Sequence, residues 1–109
     1  MGINNSQNAL FGTELSATMT GSTVLIGTIP VTGAILIFDN QGTVSVQIFV
    51  NGTANANLWR TFPSGEAMTI DLRAASGIAA NFGNPANTTF FGNGASGTFS
   101  ISYIYAQNM

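Results

Sequence analysis

The sequence predicts an all-β fold: a single antiparallel β-sandwich of about eight short strands, jelly-roll-like, with an extended N-terminal arm. Three observations carry this. Apolar residues do not recur at helical spacing over any long window, and Gly, Asn and Thr are spread throughout. Short β-branched or aromatic runs are instead punctuated by turn residues about every 8–12 positions, the spacing of a sandwich or barrel. In the clearest run, residues 43–50, Val44, Val46, Ile48 and Val50 alternate with Ser45, Gln47 and Phe49. That two-residue period belongs to a strand with one face on a core.

Taken in order, residues 1–9 are polar and aperiodic and read as an extended arm, leaving 10–109 as the sandwich domain. A first strand is expected over 10–20, and a turn at Gly21-Ser22 leads to a second over 23–29. Pro30 ends that strand or marks an edge. Residues 34–38 form a third strand, followed by an Asp39-Asn40-Gln41-Gly42 loop whose Asp39 or Asn40 side chain bonds its own backbone. After the strand at 43–50, Asn51-Gly52 is the strongest two-residue hairpin signal. A strand over 58–62 returns, and Pro63-Ser64-Gly65 turns again.

Over 67–73, Met68, Ile70 and Leu72 face inward while Thr69, Asp71 and Arg73 face outward. Weaker strands are expected at 76–82 and 88–91. The last strand covers 97–106, with Phe99, Ile101, Tyr103 and Tyr105 on one face and Ser100, Ser102 and Ile104 on the other.

Charge is the most informative part of the composition. Only 6% of residues are charged, against about 25% in an average soluble domain. They are Glu14, Asp39, Glu66, Asp71, Arg60 and Arg73. Asn, Thr, Ser, Gln and Gly supply the polar surface instead, and such groups cost less to desolvate than ions. A surface of this kind suits permanent contact with protein. Two separated arginines cannot neutralise a run of phosphates, so no nucleic-acid partner is expected. The same shortage argues against anionic membranes, and the apolar stretch 24–38 is interrupted by Gly27, Pro30 and Gly33. The N-terminal residues show no secretory leader pattern.

The chain contains no His, no Cys and no Lys. A Ser-His-Asp triad, a Ser-Lys dyad and zinc sites built on His or Cys are therefore excluded. Glu66 and Asp71 lie an odd number of positions apart, which puts them on opposite faces of a regular strand, the wrong geometry for a carboxylate pair. Asp71 and Arg73 share a face and read as an exposed ion pair. No enzyme activity and no cofactor are expected. Trp59, Tyr103 and Tyr105 could stack a sugar, which keeps a carbohydrate-binding module among the alternatives.

In residues 34–38 both faces are apolar: Ala34, Leu36 and Phe38 on one, Ile35 and Ile37 on the other. An antiparallel strand with one wet face should alternate. A run apolar on both faces is covered twice, once by the core and once by something else. Phe49, outward on the clearest strand, points the same way. The assembly interface is accordingly expected at Ile3, Leu10, Phe11, Ile35, Ile37, Phe49 and Trp59.

The polar arm at 1–9, the Gly/Asn/Thr-rich turns and the final strand Gly97-Thr98-Phe99-Ser100-Ile101-Ser102-Tyr103 resemble small virion proteins of tailed bacteriophages, especially capsid decoration (cement) proteins. The resemblance is one of composition and spans the whole chain. It implies a non-catalytic subunit on the capsid surface, a homo-oligomer (dimer or trimer) that clamps neighbouring copies of a major capsid protein. Residues 33–105 also resemble the jelly-roll subunits of bacterial spore-appendage fibres, where an apolar strand, an Asn-Gly hairpin and a Pro-Ser-Gly turn recur in similar order. The connector of those fibres carries cysteines, and this chain has none. That second resemblance implies a self-assembling fibre subunit on an extracellular or spore surface.

Overall fold

The computed structural model describes residues 7–30, 35–71 and 88–108, and among these it is all-β. Nine strands follow one another: β1 (Gln7–Phe11), β2 (Leu15–Thr18), β3 (Val24–Ile29), β4 (Ile35–Asn40), β5 (Val46–Val50), β6 (Leu58–Phe62), β7 (Ala67–Asp71), β8 (Thr88–Asn93) and β9 (Thr98–Asn108). A single 3-10 turn, Asn55–Asn57, precedes β6.

The pairings are those of one long hairpin. Strand β2 pairs with β9, β3 with β8, β4 with β7 and β5 with β6, all antiparallel. The hairpin is rolled so that β9 also pairs with β4, and β8 with β5. The result is two sheets, β2-β9-β4-β7 and β3-β8-β5-β6, which is the jelly-roll order. Strand β1 extends the first sheet by pairing with the far end of β9, from Gln7 opposite Asn108 to Phe11 opposite Ile104.

The core lies between the sheets. Phe38, Phe62, Phe90 and Phe99 are fully buried, with Leu36, Val46, Ile48, Ile29 and Ile101 around them. Phe38 stacks on Phe62 at 5.6 Å, meets Phe90 edge-on at 5.4 Å, and Phe62 meets Phe99 at 5.2 Å. Offset and edge-to-face arrangements of this kind are the favourable ones for aromatic quadrupoles. The alternation expected for β5 and β9 holds, with Val46, Ile48, Val50, Phe99, Ile101 and Tyr103 all buried.

Several expected boundaries differ. The strand expected over 10–20 is two strands broken at 12–14, where the register on β9 shifts by one residue and the Tyr103 ring lies beside Gly12. Residues 7–9, read as arm, belong to β1, since the edge of β9 continues to Asn108 and offers backbone partners. Asp39 and Asn40 are strand residues, although the side-chain turn expected there is present, with Gly42 N donating to Asn40 Oδ1 at 3.1 Å. Asn51-Gly52 does not make a two-residue hairpin. Asn51 has φ of 60°, its amide donates to Thr89 O, and 51–57 together connect β5 to β6. The strand expected at 76–82, together with Ile3, Leu72 and Arg73, lies outside the described residues.

Candidate assembly surfaces

Each sheet has an outer face, and register decides which side chains meet there. On the first sheet β4 points Ile35, Ile37 and Asp39 outward, since Leu36, Phe38 and Asn40 are the buried set. Ile35 lies opposite Ile104 of β9 on one side and Asp71 of β7 on the other. Ile104 in turn lies opposite Phe11 of β1. Phe11, Ile104 and Ile35 therefore form one apolar row across three strands. Phe11 is 78% exposed, the largest exposure of any big apolar residue among those described. Beside this row, Ile37 sits between Ser102 and Thr69. Acidic groups share the face: Asp39, Asp71 and Glu14, whose Oε2 accepts a hydrogen bond from Ser102 Oγ at 3.2 Å.

The second sheet carries its own row. Leu25 of β3 lies opposite Phe91 of β8, Phe91 opposite Phe49 of β5, and Phe49 opposite Leu58 of β6. These alternate with the core residues Ile26, Phe90, Ile48 and Val50, so they point away from the core. Leu25 and Leu58, at the two ends, are 58% and 39% exposed. Bulges in β3, between Leu25 and Gly27, and in β5–β6, between Ile48 and Phe49, bring the four into line.

The seven expected interface residues thus separate. Phe11 and Ile35 come together, and Ile37 lies beside them. Leu10 pairs with Tyr105 in the β1–β9 ladder. Phe49 does face outward, but on the opposite sheet, where it is only 5% exposed between Phe91 and Leu58. Trp59 is partly buried and packs against the core. Its indole lies 5.2 Å from Phe38 and 5.8 Å from Phe62, with the Arg60 guanidinium 5.9 Å from its ring. The shallow cleft next to it, about 340 Å³, is lined by Val50, Ala56, Asn57, Leu58 and Trp59, and Asn57 already donates to Val50 O at 3.0 Å.

Ile104, Leu25, Phe91 and Leu58 were not among the expected interface residues. Ile104 alternates with the buried Ile101 and Tyr103, a local signal, whereas Leu25 and Leu58 share the parity of the buried Ile29 and Phe62 and are turned off the core by the bulges. Their alignment has no local signal, because it depends on register between strands far apart in sequence.

The Arg60 and Glu66 side chains form an ion pair at 3.0 Å, and each is about one-third exposed. Among the described residues no three His, Cys, Asp or Glu gather as a metal site, and no helix is long and apolar enough to cross a membrane. No family model, curated protein or solved structure matches this chain.

Proposed function

We propose that this chain is a non-catalytic structural subunit that works by being packed against other protein, copies of itself included. The observation that supports this is the pair of apolar rows on opposite outer faces of one jelly roll. Large apolar side chains left open on both faces, Phe11 on one and Leu25 and Leu58 on the other, mark interaction sites on a chain with so few charges. Two different rows on opposite sides cannot both be satisfied by one contact, and unlike contacts that do not close generate open arrays.

This geometry favours a self-assembling subunit of a fibre, with protein on both of its faces. A capsid decoration subunit is the second reading. The Phe11 row, whose Phe11 is the most exposed large apolar residue among those described, supports it as a seat on a larger shell. In either setting clamping, rather than chemistry, stabilises the assembly, and repeated weak contacts give avidity.

Electron microscopy of the purified chain at rising concentration tests the proposal. The fibre reading expects open filaments that Phe11→Asp abolishes while the circular dichroism stays that of a β-sandwich. The decoration reading expects small closed oligomers that coat a shell, with coating lost in Phe11→Asp. A chain that stays monomeric at every concentration and coats nothing rejects both.

A further inference from the structure

We infer that the outer face of β3-β8-β5-β6 pairs with the same face of a second copy, forming a two-fold dimer. This rests on the reading of the chain as an assembly subunit and names one of its contacts. The row Leu25–Phe91–Phe49–Leu58 crosses all four strands of the face in register, with Phe49 closed off at 5% exposure and Leu25 and Leu58 open at the two ends. On one side of it lie Asn93, Gln47 and Thr61, joined across the ladder, with Asn93 Nδ2 donating to Thr23 Oγ1 at 3.1 Å. On the other side Thr28 and Thr89 share a hydrogen bond at 2.8 Å. These polar groups partly satisfy one another, so covering them strands fewer donors and acceptors.

Charge selects the occupant. Among the described residues this face carries no ionisable side chain. Glu14, Asp39 and Asp71 belong to the outer face of the other sheet. Arg60 is drawn to Glu66 and to the Phe62 ring, which lies 4.6 Å from its guanidinium on the core side. Stacking the neutral face on the acidic face of a neighbour would desolvate three carboxylates without offering them a cation. Stacking the neutral face on itself desolvates none, and two sheets can approach to about 10 Å with their side chains interleaved.

The footprint sets the strength. Four strands about 4.8 Å apart span roughly 14 Å between their outermost axes. Strands of five or six residues are about 17–20 Å long, so the face covers roughly 250 Å², well below the ~800 Å² per partner of a standard stable interface. The dimer is therefore reversible, with a midpoint in the micromolar range or weaker. Joined through this face, pairs would still present their Phe11 rows outward for further growth.

The test is a dilution series of the full chain by sedimentation velocity and amide NMR, from millimolar to low micromolar. Expected are a monomer–dimer transition and concentration-dependent shifts at Leu25, Thr28, Leu58, Thr89 and Phe91. Leu25→Asp and Leu58→Asp should each move the midpoint up by about tenfold or more, and Phe11→Asp should leave it in place. Either variant dimerising as the wild type does overturns the inference, provided its far-UV spectrum is unchanged. The wild-type shift map stands on its own should a variant fail to fold. Shifts confined to Ile35, Ile37 and Ile104 would overturn this inference and leave the assembly reading intact. A wild-type chain that is monomeric throughout overturns this inference, and failure to form any larger structure would also remove the reading beneath it.

Discussion

The ring of Tyr103 fills the space that a side chain at position 12 would need. A β-carbon on Gly12 would fall 1.9 Å from Tyr103 Cζ, and the Gly12 amide donates to Tyr103 O at 2.9 Å. The contact lies where β1 ends, so Gly12 lets β1 and β2 share one edge of β9 with a break between them. Phe11, at the end of β1, is placed on the outer face by the same arrangement.

Gly12→Ala should therefore loosen β1 first. The ring must move or the strand must lift, an overpacking cost of about 1–3 kcal/mol. Hydrogen exchange should show amides of 7–11 losing protection well before those of Leu36 or Ile48. A variant that melts with the wild type and keeps β1 protected would contradict the contact.

Asn40 is the polar joint of the core edge, 1% exposed. Its Nδ2 shares two N–H groups among Val44 O, Phe62 O and Pro63 O, at 3.0, 3.2 and 2.9 Å. Asn40→Ala leaves several of these acceptors unsatisfied and should cost about 2–3 kcal/mol in urea unfolding. Asn40→Asp should show a pH dependence. The introduced carboxyl faces carbonyl oxygens, which raises its folded pKa above the unfolded value of about 4. Its neutral form can donate, so stability relative to wild type is greatest at acid pH and falls as pH rises through the raised folded value. A flat pH profile would show that the carboxyl has turned to water.

Gly97 and Gly21 both have φ of +90°, yet their surroundings differ. A β-carbon on Gly97 would lie 2.7 Å from Gly42 Cα, whereas one on Gly21 would meet nothing within 4 Å. Gly21→Ala should cost only the left-handed backbone strain, about 1–2 kcal/mol. Gly97→Ala should cost at least about 1 kcal/mol more, because the opposing atom is backbone and cannot swing away. Equal thermal shifts in the two variants would remove the Gly42–Gly97 contact from the account.

Arg60 matters more for packing than for charge. The ion pair with Glu66 is partly exposed, so Glu66→Gln should change stability by less than about 1 kcal/mol. Arg60 also lies over Phe62 and donates to the Met68 sulfur at 2.9 Å. Arg60→Ala should therefore exceed Glu66→Gln by about 1 kcal/mol, and added salt should not reverse the order. Equal losses in the two variants would return the weight to the ion pair.

The identity of the core strands could be read from the chain, because alternation is a local property with a period of two residues. Phe99, Ile101 and Tyr103 fall inside for the same reason that Val46 and Ile48 do. Trp59 could not be read this way. It sits next to a bulge in the β5–β6 pairing, where strict alternation fails, and the indole turns onto Phe38. The Asn51-Gly52 signal failed for a related reason: Asn51 is held by Thr89 of β8, 38 residues away, and Thr89 N donates to its Oδ1.

By itself the amino-acid sequence determined an all-β sandwich nearly stripped of charge, with apolar residues such as Ile35 and Phe49 on faces that should be wet. The tertiary structure alone decided that Ile35 lines up with Ile104 and Phe11 on one sheet, and that Phe49 joins Leu25, Phe91 and Leu58 on the other. The period along a strand follows from backbone geometry within a few residues. Register between strands is set by the whole rolled hairpin closing around one core, and no short stretch of chain contains that information.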